Sequence, residues 1–131
     1  MLAGDALTPG ERSRLERAIS NADTASRELE FSLFLGAADG DPRTVARRLH
    51  AGLVKPEMSV LVLCDPGQRA LEIVTGSLAR RTLSDATCAL AAASMEASFA
   101  IGDIVGGLVV GIQQLGEAAR APQTLHAMKR N

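Results

Sequence analysis

A chain of 131 residues, 47 % hydrophobic and 22 % charged, has the size and balance of one folded domain that buries a core without staples or metal. A formal net charge of −1 excludes the basic footprint that general nucleic-acid binding requires. Three Phe residues (Phe31, Phe34 and Phe99), with no Trp or Tyr, make base-stacking and sugar-stacking platforms improbable.

The first segment, Met1-Leu2-Ala3-Gly4-Asp5, lacks a basic n-region and an apolar h-region, so no secretory signal is read there. Thr8-Pro9-Gly10-Glu11 is the clearest helix start. Thr8 can cap, Pro9 suits the first helical position, and Glu11 completes a capping box. This helix is predicted to run to about Ala25, with Leu15, Ala18, Ile19 and Ala22 on its buried stripe. Glu28–Gly36 alternates around Phe31, Leu33 and Leu35 and reads as the first strand. Asp41-Pro42 then caps a second helix to about Gly52, with Val45, Ala46 and Leu49 inward and His50 near its end as a surface or satisfied residue.

Met58–Gly76 organises the chain. Val60–Cys64 is apolar on both alternations, as in a strand buried on two faces. Asp65-Pro66-Gly67-Gln68 supplies turn chemistry, with Gly67 expected to take the positive φ. Arg69–Thr75 returns as a second strand that Gly76 ends. The first strand, second helix and central strand form a β-α-β unit with parallel strands, and the hairpin adds an antiparallel one. Ser84-Asp85 caps a third helix whose inward face is marked by Cys88, Leu90, Ala91, Met95 and Phe99. A fourth begins near Gly102-Asp103 and runs to about Arg120, with Ile104, Val105, Leu108, Ile112 and Leu115 at helical spacing. Gly107 and Gly111 are read as positions of close helix approach. Residues 121–131 follow as a frayed, basic tail, giving one domain over 1–131 with its core at about 7–120.

Catalytic constellations are sparse. Only His50 and His126 supply imidazoles, there is no G-x-S-x-G elbow, and Ile101–Gly107 is neither a Walker A loop nor a dinucleotide fingerprint. Asp39-Gly40-Asp41 fails as an EF-hand because His50 occupies the twelfth place. Cys64 and Cys88 form no C-x-x-C pair and read as reduced core thiols. Acids gather at element ends: Asp65 at the hairpin, Asp85 and Asp103 at helix starts, where capping accounts for the last two. Glu72 lies inside a strand and needs a partner, for which Arg69 or Arg81 is available. Carboxylates converging at one sheet edge would bind a hard divalent cation such as Ca²⁺.

The succession Leu7-Thr8-Pro9-Gly10-Glu11, Val60–Asp65, Arg69, Glu72–Gly76, Leu83-Ser84-Asp85, Phe99 and Gly102-Asp103 resembles the TPM domain family over about Leu7–Arg120. That family is named for a thylakoid lumen protein, a photosystem repair factor and a nematode receptor modulator. The similarity is greatest to a bacterial branch, typical of actinobacteria, of unknown function. The resemblance implies a compact three-layer α/β/α sandwich around a mixed sheet of three or four strands. It also implies candidate roles in calcium binding, acid phosphatase activity or the modulation of membrane protein complexes. Positions matching its pattern are Asp65, Arg69, Gly76, Asp85, Gly102 and Asp103. The Asn/Gly-rich lead-in of many members is replaced here by Val54-Lys55-Pro56-Glu57.

The resulting expectation is a non-catalytic, cytoplasmic module that binds a partner protein, with a divalent cation at Asp65, Asp85 and Asp103 and Arg69, Glu72, Gly76 and Gly102 in support. The rivals are a metal-assisted phosphatase, with Arg69 neutralising phosphate charge, and a structural unit that self-associates through its small-residue helices. No segment reads as membrane-spanning: Ile101–Leu115 is too short and carries Asp103, Gln113 and Gln114.

Overall fold

The doubly apolar run from residue 59 to 65 becomes strand β3 (Ser59–Asp65), buried at every position in a computed structural model that describes residues 1–4 and 7–120. Its two alternations serve two cores. Val60, Val62 and Cys64 join the larger one, while Leu61 and Leu63 join the smaller. A strand buried on both faces must lie inside the sheet. β3 does, in the order β1-β2-β3-β4, with β1 (Leu2–Gly4), β2 (Glu30–Leu35) and β4 (Ala70–Thr75). β1 and β2 are parallel, as are β2 and β3, whereas β3 and β4 are antiparallel. The expected mixed sheet is therefore present. β1 was not anticipated; three residues are too few to show an alternation.

Helices cover both faces. Helix α1 (Pro9–Ser26) opens with the expected capping box, Thr8 Oγ1 accepting from Glu11 N at 3.1 Å and Glu11 Oε1 from Thr8 N at 2.9 Å. Leu15, Ala18, Ile19 and Ala22 are its buried stripe, as predicted. Helix α2 (Pro42–Ala51), capped by Asp41, packs Val45 and Ala46 on the Leu61/Leu63 face. Leu49, expected inward, is exposed, and His50 is buried in its place. Helices α3 (Asp85–Ala100) and α4 (Ile104–Arg120) join α1 on the opposite face, over Phe31, Leu33, Val60 and Val62. The product is a three-layer α/β/α sandwich.

On α3 the expected stripe needs correction. Ala91 and Met95 are buried, but Leu90 is 74 % exposed. With alanine at seven of its sixteen positions, the packing of Met95 sets the phase of this helix and turns Leu90 outward. The helix ends in a Schellman arrangement: Asp103 N donates to Ser98 O at 2.9 Å and Gly102 N to Phe99 O at 2.9 Å, with Gly102 at φ +87°.

Helix α4 threads between α1 and α3. A Cβ on Gly107 would stand 2.7 Å from Ser98 Cβ, one on Gly111 would collide with the Met95 side chain, and one on Gly116 would stand 2.7 Å from Ala22 Cα. These glycines set the interhelical distance on both flanks, as expected for Gly107 and Gly111. Fully buried Leu108, Ile112 and Leu115 lie between them, each worth about 1.5–3 kcal/mol of apolar burial. The hairpin also departs from expectation in one detail. Pro66–Gln68 forms a 3₁₀ turn, and the positive φ falls on Arg69 at +52°, not on Gly67. A single 3₁₀ turn keeps Gly67 right-handed and shifts the left-handed exit to the residue after it. The tail expected over residues 121–131, with His126, lies outside the described residues.

Candidate functional site

The residues singled out from sequence are held in separate settings. Asp65 closes β3 at 2 % exposure. Its carboxylate accepts from Ala38 N at 2.9 Å, Gln68 Nε2 at 2.6 Å and Gln68 N at 3.3 Å. The Ala38 N–H, followed by the Gln68 amide side chain, holds this carboxyl below the usual carboxylate range against the opposing effect of burial. Asp65 thereby ties the loop before α2 to the β3–β4 turn. Asp103 caps α4, accepting from Gly106 N at 2.9 Å. Asp85 is the first residue of α3, behind the Ser84 cap. Gly102 belongs to the α3 terminus. Gly76 lies where a Cβ would collide with the carbonyls of Pro56 and Glu57, so only glycine lets that turn close on the strand end. Among the described residues, no three His, Cys, Asp or Glu side chains are grouped so as to hold a metal ion.

Glu72 is paired, but not with Arg69 or Arg81. Arg43 Nη1 of α2 donates to Glu72 Oε1 at 3.2 Å and to the Ile73 carbonyl at 3.2 Å. α2 lies over β4 and brings the guanidinium across from the other layer.

A smaller cleft of about 470 Å³ opens at the end of β3, between Asp65, Arg69, Glu96, Phe99 and Ile104. Cys64 borders it, but burial, helped by the Asp65 charge, pushes this thiol up to about 11. It is therefore a neutral thiol at physiological pH rather than a nucleophilic thiolate.

A larger cleft, about 840 Å³ and open to solvent, wraps the edge of β4 that no described strand pairs. Such a volume is in the range of ligand pockets. Its α2 wall presents Arg43, Arg47 and His50, its α3 wall Cys88, Ala89 and Ala92, and its floor Leu71, Ile73 and Thr75. Arg80, Glu57 and Asp85 border it as well. His50 is buried and Nε2–H donates to Ser59 O at 2.9 Å, which leaves Nδ1 without the proton in the neutral ring.

The ladder fixes which backbone groups face this cleft. Gly76 N donates to Ser59 O at 2.9 Å, so the pairs of β3 and β4 in phase with it are the hydrogen-bonded ones: Leu61 with Val74, Leu63 with Glu72 and Asp65 with Ala70. Leu71, Ile73 and Thr75 consequently aim their N–H and C=O groups away from β3. The bond from Arg43 to Ile73 O accords with that direction.

A family model described as a domain of unknown function, DUF5130, matches residues 6–116. The chain belongs to this family. Two uncharacterized proteins of Mycobacterium tuberculosis, from strains H37Rv and CDC 1551, are each 30 % identical to this DUF5130 chain over 88 residues, 67 % of it and 53 % of them. The chain thus spans about half the length of those curated relatives. Solved structures share the fold. The BA42 protein of the psychrophilic bacterium Bizionia argentinensis matches with a TM-score of 0.77 at 21 % identity, over 88 % of this chain and 82 % of that one. The N-terminal domain of the cg2496 protein of Corynebacterium glutamicum matches at 0.73 and 15 % identity, over 93 % and 82 %.

Sequence reasoning did not find the β4 cleft. Its walls come from α2, β4 and α3, and no local spacing reports that Arg43 and Arg47 face Ala89 and Ala92 across a strand edge. The only available sign was the i, i+4 spacing of the two arginines, which an ordinary solvated helix face also produces.

Proposed function

We propose that this DUF5130 domain is a non-catalytic, TPM-like module that binds a partner protein through the cleft around β4. One observation carries the reading: a strand edge with its outward backbone groups lies in a large open cleft between two helices. Unpaired strand edges are otherwise shortened, covered or charged in folded proteins. Among the described residues only Arg43 crosses the edge, donating to Ile73 O from a partly exposed guanidinium whose pair with Glu72 is worth little. The TPM-like part of the reading is supported by the hairpin and helix-start pattern of the sequence and by the three-layer architecture. A domain of that kind, working by contact with another protein, needs a shaped surface rather than a catalytic group.

The test is site-specific photocrosslinking in the native cells. A benzophenone side chain at Ala92, inside the cleft, is compared with one at Glu16, on the exposed face of α1. The expected result is a discrete adduct from position 92 that is absent from position 16. Identical adducts from both positions, or none from position 92, would remove the cleft as the partner site.

A further inference from the structure

The chemistry of the two cleft walls says more about the occupant. A chain laid along β4 would meet the outward N–H and C=O groups of Leu71, Ile73 and Thr75, spaced two residues apart. β4 is six residues long, about 20 Å of extended chain. Successive side chains of an added strand point to opposite faces of the sheet. One set would therefore face the α2 wall, where Arg43 and Arg47 stand and no acid belongs to α2. The other set would face the α3 wall, made of Cys88, Ala89 and Ala92 with Leu71 and Ile73 beside it. Of the acids lining the cleft, Glu57 lies beside Gly76 and Asp85 at the start of α3, and the Glu72 carboxylate on the α2 side is already neutralised by Arg43.

We infer that the cleft takes an extended peptide segment in which acidic and small apolar residues alternate, bound as a fifth strand on β4. The inference rests on the partner-binding reading above and deepens it to a recognition mode. Main-chain hydrogen bonds to β4 supply affinity, and the unlike walls supply register. A one-residue slip would place every carboxylate against alanine and every apolar side chain against arginine. The incoming strand displaces Arg43 from Ile73 O while Arg43 keeps its pair with Glu72, so the carboxylates on the α2 side are met chiefly by Arg47. Arg47 is exposed and has no ion-pair partner among the described residues, so it is available from the start.

The experiment titrates the isotope-labelled chain with the end-capped heptapeptide Glu-Val-Glu-Val-Glu-Val-Glu. Backbone amide shifts give the site and affinity. Three comparisons accompany it: the same peptide with Lys in place of Glu, the Glu–Val peptide N-methylated at alternate residues, and the Arg47→Glu variant. The expected result is perturbation and slowed exchange at the amides of Leu71, Ile73 and Thr75, with binding weaker by about tenfold or more in each comparison. No binding of the Glu–Val peptide, equal binding of the Lys–Val or N-methylated peptide, or perturbation centred on the Asp65–Glu96 cleft would overturn strand addition. A position-92 adduct together with a failed titration would keep the partner site and discard this mode of occupying it. Arg47 is solvent-exposed, so its variant keeps the fold, and the peptide comparisons leave the protein unaltered.

Discussion

Asp65 shows how a residue that attracts functional attention can be absorbed by architecture. Its oxygens already receive three N–H groups, one from the loop before α2 and two from Gln68 in the β3–β4 turn. The folded-state pKa lies below the ordinary 3.8, so folding favours the ionised form. The stabilisation is present in full above the unfolded-state value and disappears as pH falls through the folded one. Urea unfolding of wild type and Asp65→Asn between pH 2 and 7 should show a gap that is widest near neutrality and closes toward pH 2. A gap independent of pH would mean that shape, not charge, is what the site requires. Asp85 and Asp103 are likewise placed by helix starts, far from forming one ligand set with Asp65 among the described residues. Thermal unfolding in EDTA and in millimolar Ca²⁺ is therefore expected to give the same Tm. A bound cation at about 100 times its dissociation constant would add about 2.7 kcal/mol, a shift of several degrees, and its loss in Asp103→Asn would restore a cation site.

At the scale of elements, α4 is fitted tightly against both α1 and α3. Gly116→Ala would press a methyl group against the Ala22 backbone, which cannot give way as a flexible side-chain tip can. A cost of about 1–3 kcal/mol is expected, read as a Tm lower by roughly 3–15 °C. Gly10→Ala, with open space around it, is the matched control and should be neutral or slightly stabilising. On β4, hydrogen exchange should be faster at Leu71, Ile73 and Thr75 than at Glu72 and Val74, because only the second pair donates to β3. Much of this layer was legible. The Thr8–Glu11 box and the doubly apolar run at Val60–Cys64 each state a local rule that the fold obeys. What escaped did so for physical reasons. α3 is so rich in alanine that no amphipathic phase is written in it, which hid the exposure of Leu90. The partner of Glu72 is 29 residues away on a helix of the other layer, a distance no sequence window spans.

Taken whole, the sandwich has two unlike sheet margins. β1 is three residues long and Arg12 reaches over it to Gly4 O at 3.3 Å. β4 is twice that length and, among the described residues, is crossed only by Arg43. Arg43→Ala removes a partly exposed ion pair, so unfolding should lose no more than about 1 kcal/mol. The same change uncovers Ile73 O, and light scattering is expected to show a mass that rises with concentration as two such margins pair. A mass unchanged across the range would show that the walls of α2 and α3 alone keep copies apart. Neither margin nor cleft could be located from the sequence, since both depend on which strand ends up outermost.

The position of α4 also has a consequence for synthesis. It lies against α1, near the start of the chain, and against α3, yet it is the last described helix to be made. Until the ribosome has released residues 104–120, the sheet face bearing Phe31, Leu33, Val60 and Val62 has no complete cover, although the local β3–β4 hairpin can already form. Between the synthesis of β4 and that of α4 the nascent chain is therefore a sheet with one greasy side, the kind of species that holdase chaperones recognise. The glycines that let α4 slide into its slot are thus as much a condition of timely folding on the ribosome as of the finished packing.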